Sequence, residues 1–340
     1  MNKLIFFLFF VILCHFIFYP SKSDFYHDIT IERFDKILLD SNISSFELFK
    51  NNNNTFFEKY LSYINCDNFY NQDSTFFYLK DCLNKTYNNI YYDTLKHEIE
   101  SCFLETNNIK HDFQIAFNNY NLFFQDSVNP KIIFFNGYFN YYNPFFSTGF
   151  ILPKDNSYIG VALEMFLGRD HDFYKVSWLP EYLRDEFEQE YMVARSMKSF
   201  LINKYGADFW MGDRLIDYML YWGKFHFILK SIIPNYHDTV SFGYTKKELD
   251  WCYSNEKRIW KYFLDEEKEG SSILFSSSTE YFYKYINPAG YSKGMPSESP
   301  GMIGRWLGYR IFSSYMKQNT FYIKDTKTSE EILNLKMYKP

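Results

Sequence analysis

Glu298-Ser299-Pro300-Gly301-Met302-Ile303-Gly304-Arg305-Trp306-Leu307-Gly308-Tyr309-Arg310-Ile311-Phe312-Ser313-Ser314-Tyr315-Met316 is the stretch around which the chain is organised. Ser299 suits a helix cap and Pro300 the first helical position, where a missing N–H costs nothing, so the pattern predicts a helix over 300–317. Ile303, Leu307, Ile311 and Tyr315 form an apolar stripe at three-to-four spacing. Gly301, Gly304 and Gly308 form a second stripe. Each interior glycine costs a helix about 1 kcal/mol against alanine, so something must approach this backbone closely. Two readings stand: a tight packing contact, or a groove floor that admits a ligand or an extended peptide. Pro300, Gly301, Gly304, Arg305, Gly308 and Arg310 are the candidate interaction or packing face, and internal carboxylates such as Glu256 are the competing partners for the two arginines.

Working outward, the 340 residues are 46% hydrophobic, enough for one large core or two small ones. The net charge of −5 provides no basic surface, which argues against nucleic acid as a partner. Phe and Tyr are abundant alongside Asn, Lys and Ile, a set that shares A/T-rich codons. Aromatic runs such as Tyr138 to Tyr142 therefore carry no weight as sugar or base platforms. Residues 1–23 stand apart from the fold as an export signal or anchor, because the apolar run from Leu4 to Tyr19 is short for a membrane span. Val11-Ile12-Leu13-Cys14 offers Cys14 for lipidation, Ser21-Lys22-Ser23 offers ordinary cleavage, and an uncleaved anchor is the third option. No Cys-x-x-Cys pair occurs; a disulfide among Cys66, Cys82, Cys102 and Cys252 is allowed, without a pairing legible from spacing.

The remaining residues, 24–340, read as one α+β domain, mainly helical, with a small mixed sheet in the middle. Helical patterns cover 55–64, 74–88, 92–105 and 109–124, with Asn51 to Asn54 as a loop tip. Strand patterns cover 131–135, 145–152 and 158–167. Helices follow at 180–204, 207–232, 245–266, 278–286, 300–317 and 328–336. Thr245 with Glu248 and Thr328 with Glu331 are capping-box pairs.

Catalytic motifs are sparse. A metallopeptidase places two histidines one turn apart around a glutamate; the nearest string, His97-Glu98-Ile99-Glu100-Ser101, lacks the second. Within the expected 180–204 helix, Glu186 and Glu190 share a face at i, i+4, as a carboxylate pair or a solvated acidic face. Asp170-His171-Asp172 reads as a polar turn or a loop cation site, His226 as a packed helix histidine, and His237-Asp238 as half of a catalytic pair without a nucleophile motif. Glu186, Glu190, His237 and Glu256 form the weak acid–base set. No metal or cofactor is expected.

Taken together, several strings resemble one family. Arg33-Phe34-Asp35, Leu163 to Asp170, Pro180-Glu181-Tyr182, Glu190 to Val193 and Met219 to Lys224 carry the likeness. It is densest in Gly243-Tyr244-Thr245, Leu249-Asp250-Trp251, Asn255-Glu256, Ile259-Trp260, Ser299-Pro300-Gly301 and Gly304 to Tyr309. In order and spacing these are similar to the gliding-motility lipoprotein GldB family. That resemblance implies a periplasm-facing envelope protein, held to a membrane through a lipidated cysteine and acting with other gliding or envelope proteins, without catalytic activity. It also implies a zincin-peptidase-like scaffold lacking the metal-binding histidines. The alternative is a hydrolase with a degenerate site of that type.

Overall fold

In the computed structural model the described residues are 28–40, 42–66, 75–87, 90–139, 149–176, 180–265, 272–322, 327–333 and 338–340. The 1–23 leader, with Cys14, lies outside them, as do the first half of the expected strand at 145–152 and the end of the expected helix at 328–336.

The first half is β1 (Ile31–Arg33), α1 (Phe34–Asp40), α2 (Ile43–Asn52), α3 (Asn54–Tyr63), α4 (Thr75–Tyr87), α5 (Ile90–Cys102) and α6 (Asn107–Phe124). β1 is too short to show an alternating pattern in the sequence. It is held by a side-chain pair: both carboxylate oxygens of the buried Asp35 accept from the Arg33 guanidinium, at 2.9 and 2.6 Å. A third Arg33 nitrogen donates to the Phe103 carbonyl at 2.6 Å. Asn51 to Asn54 is not a loop tip. The chain breaks only at Asn53, which is buried, donates to Glu32 at 2.6 Å and accepts from Lys131 at 3.0 Å, tying the α2–α3 corner to the sheet.

The middle section is β2 (Lys131–Phe135), β3 (Phe150–Ile151) and β4 (Tyr158–Ala162). The sheet order is β1-β2-β4-β3, with the first three strands parallel and β3 antiparallel on the edge. Every residue of β4 is buried, and all of β2 except Lys131, so the two central strands are continuous apolar runs covered on both faces. α3 packs on them through Phe56 and Tyr60, whose rings lie edge-on to Phe135.

The second half begins with a single turn of 3-10 helix at Leu163–Phe166, then α7 (Asp172–Val176), α8 (Glu181–Arg184) and α9 (Met192–Tyr205). It continues with α10 (Leu215–Ile232), α11 (Asp238–Phe242), α12 (Lys246–Ser254), α13 (Glu256–Leu264), α14 (Thr279–Tyr285), α15 (Ile303–Met316) and α16 (Ser329–Leu333). Both capping boxes form. α10 is buried around most of its circumference, as a helix apolar on all sides must be, and it is the axis of this half.

Four helices differ from expectation, each for a tertiary reason. The expected 180–204 helix is broken at 185–191, because the Phe187 carbonyl and the Glu188 carboxylate turn aside to accept from Gly168 and Arg169 N–H. The expected 207–232 helix begins only at Leu215, where Asp217 accepts the Arg214 N–H in a capping box. The expected 245–266 helix divides at Asn255, whose side chain donates back to the Trp251 carbonyl at 2.9 Å. The 300–317 helix begins at Ile303. Ser299, Pro300 and Gly301 form a turn whose carbonyls at 300 and 301 accept from the Ser292 and Tyr244 hydroxyls, and Met302 is left-handed at φ +55°.

A disulfide joins Cys66, just past α3, to Cys82 in α4. Its sequence separation of 16 means that opening it frees a modest loop in the unfolded chain. A Cys66→Ala/Cys82→Ala variant is expected to lose about 3 kcal/mol, the loop-closure value for a ring of this size. A lower urea midpoint reads this out; an unchanged midpoint would mean the bridge contributes nothing.

Candidate interaction site

α15 presents two sides. Its glycine side faces inward against α10: a Cβ on Gly308 would lie 1.8 Å from the Met219 carbonyl oxygen, and one on Gly223 would lie 2.5 Å from the Gly308 carbonyl. Gly304 faces the Tyr285 carbonyl and Ile286 in the same way, and Gly301, in the preceding turn, meets the Ala289 carbonyl. These glycines let backbone lie on backbone, and this face is filled by the protein itself. Arg305 also turns inward. It is 8% exposed, its guanidinium sits 3.8 Å above the Trp222 ring, and its Nε donates to the Ile286 carbonyl at 2.7 Å.

The outer side is different. Arg310 donates twice to Glu256, at 2.7 and 3.1 Å, and the Tyr338 hydroxyl donates to the same carboxylate at 2.7 Å. One residue before Glu256, at the α12–α13 corner, Asn255 lines a surface cleft of about 170 Å³. Trp251, Tyr262, Met295 and Pro296 provide most of its apolar wall, and Arg258 stands exposed at the rim. The Tyr262 hydroxyl pairs with that of Tyr285 at 2.6 Å, which fixes one wall. Gly294, at φ +96°, would bring a Cβ within 2.9 Å of that hydroxyl oxygen, so the turn is closed by glycine. The cleft therefore combines an apolar wall with a few fixed polar groups and a cation at its edge.

The acid–base candidates are dispersed. Glu186 lies beside the α9 side chains Arg195 and Lys198, at 3.4 and 3.3 Å. Burial works to raise its pKa, but Lys198 and Arg195 outweigh it and hold the carboxyl below its usual range. Arg305 joins this inner cluster electrostatically, with its own pKa pushed down to about 10 by burial against the pull of Glu186. His226 is kept uncharged near neutral pH by burial and by the charges of Lys198 and Arg305, with Nδ1 3.0 Å from the Ser241 carbonyl. Glu190 is exposed on the turn before α9, so the expected shared face with Glu186 does not exist. His237 caps α11 through Thr239. Among the described residues none of Glu186, Glu190, His237 and Glu256 hydrogen-bonds to another, and no three His, Cys, Asp or Glu side chains converge as a metal site. His171 accepts the Phe173 N–H at 3.4 Å and lies 3.6 Å from Glu98, while Asp172 pairs with Lys175.

One acid was missed in the sequence. Glu164 is fully buried and accepts from the Gly137 and Phe139 N–H groups at 3.0 and 3.3 Å. Burial pushes its pKa up to about 7, against the opposing pull of those N–H groups. The available signal was an acidic residue inside the apolar run Leu163 to Leu167. Tyr138 and Phe139, both at φ +55°, curl the backbone over this carboxyl, a conformation that non-glycine residues adopt only when their surroundings enforce it.

Among the described residues no helix is long and apolar enough to cross a membrane. The family model described as "Gliding motility protein GldB" matches residues 19–340. No curated protein and no solved structure matches the chain.

Proposed function

Because the chain belongs to the family of gliding motility protein GldB, we propose that it is a non-catalytic envelope protein that holds other components of the gliding or envelope machinery. The observation that carries this reading is a family match spanning all but the first 18 residues. In this reading the N-terminal leader, through Cys14 or as an uncleaved anchor, keeps the domain on the periplasmic side of a membrane. The Cys66–Cys82 disulfide supports an exported location, since such bridges persist in oxidising compartments. The separation of Glu186, Glu190, His237 and Glu256 supports binding over the alternative, a hydrolase with a degenerate zincin-like site.

The proposed working surface is the outer side of α12, α13 and α15, with the Trp251–Tyr262 cleft taking an apolar segment of the partner and Arg258 meeting an acidic neighbour. Crosslinking and capture from washed native membranes tests it. The parent protein should stay with the membranes and capture a defined partner. Trp251→Ala should weaken that capture about thirtyfold, the effect of losing a central aromatic anchor. Recovery in the soluble fraction would overturn the anchor, and equal capture by Trp251→Ala would overturn the cleft.

A further inference from the structure

A second cavity lies far along the chain from that cleft, between α1, α4, α5 and the turn after β2. Its volume is about 100 Å³, and Asp35, Leu38, Lys80, Lys96, Asn136 and Tyr138 are among its walls. Asn136 is 5% exposed. Its side-chain oxygen accepts the Tyr138 N–H at 2.9 Å, which fixes the orientation of the amide, and its main-chain oxygen accepts from Tyr60. The Nδ2 group then has no partner among the described residues. A buried donor left unmade costs about 1–3 kcal/mol, so an acceptor in this cavity would stabilise it.

Charge narrows what that acceptor is. The one carboxylate in the wall, Asp35, has both oxygens taken by Arg33. Lys80 and Lys96 are the cations in the wall, and both already have partners within the protein. Lys80 donates to the Leu38 carbonyl, and Lys96 pairs at the surface with Asp93 at 3.1 Å. Leu38, Leu83 and Ile99 give the cavity an apolar side, with Asn84 as a further polar group in the wall. Such a space holds about three waters, or a carboxylate with a short aliphatic tail in their place.

We propose that this cavity is a binding site for a small organic carboxylate, its charged end held by Asn136 Nδ2, Lys80 and Lys96 and its tail against Leu38, Leu83 and Ile99. The site is independent of the Trp251 cleft and of the partner captured there. Calorimetric titration of the full chain with butyrate, butyramide and inorganic phosphate, at fixed ionic strength, tests it. Butyrate should bind saturably. Butyramide should bind at least about tenfold more weakly because it lacks the charge, and phosphate more weakly than butyrate because it lacks the tail. Lys80→Met and Lys96→Met should each weaken butyrate about tenfold. Lys96 pairs with Asp93 at the surface and keeps the test decisive should Lys80→Met not fold. Equal binding of butyrate and butyramide, unchanged affinity in Lys96→Met, or no saturable butyrate binding would each overturn the proposal and leave a water-filled void.

Discussion

Gly308→Ala is expected to destabilise the protein by more than about 3 kcal/mol, the upper end of what overpacking costs. The new methyl would sit 1.8 Å from the Met219 carbonyl oxygen and 2.3 Å from its carbon, and these are main-chain atoms at the centre of α10. A side chain could rotate away; here two buried helices must separate. Helix propensity works in the other direction, since alanine favours a helix over glycine by about 1 kcal/mol, but the steric term is the larger. Thermal unfolding should fall by at least about 4 °C for a domain of this size. Gly290→Ala is the matched control, because its nearest neighbour would be Tyr182 at 3.7 Å. Its cost should stay within about 0.5 kcal/mol. Similar unfolding temperatures for the two variants would mean that α10 and α15 are not held backbone to backbone.

The second large effect is on pH dependence. The Glu164 carboxyl, at about 7 in the folded protein against an ordinary value of 4.5, keeps a proton that the unfolded chain releases between those values. Its stabilising contribution is therefore fully present below about pH 4.5 and is lost as pH rises through about 7. The span is about 3 kcal/mol. Urea midpoints measured across that range for the parent and for Glu164→Gln isolate this group from the other carboxylates, which titrate in both proteins. The parent should lose stability relative to the variant as pH rises from about 5 to about 8. Parallel profiles would mean that Glu164 is hydrated or paired and titrates normally.

Both effects depend on features that were unequally visible in the sequence. The glycine stripe at 301, 304 and 308 announced a close backbone approach, and helical spacing separated Ile303, Leu307 and Ile311 from it. What approaches is another helix, a fact that no local pattern contains, because Met219 and Gly223 lie well over eighty residues from Gly308 in the chain. Glu164 was passed over because a lone acid in an apolar run has no periodic signature. Its environment is made by a loop from a neighbouring strand. Glu186 and Glu190 looked paired because helical spacing was extended through 185–191, where Phe187 and Glu188 instead satisfy the Gly168–Arg169 turn.

By itself the sequence determined the fold class, the two central strands, the positions of most helices and both capping boxes. These follow from local periodicity and short-range hydrogen bonds that any segment carries with it. It also carried the family membership, which lives in the order of many short strings. Only the tertiary structure decided where the long helices break, that Cys66 joins Cys82, that Arg305 turns inward while Arg310 pairs with Glu256, and which polar groups share a cavity. Each of those is set by contacts between distant segments, where the energy of burying a charge or an N–H depends on neighbours that sequence spacing does not reveal.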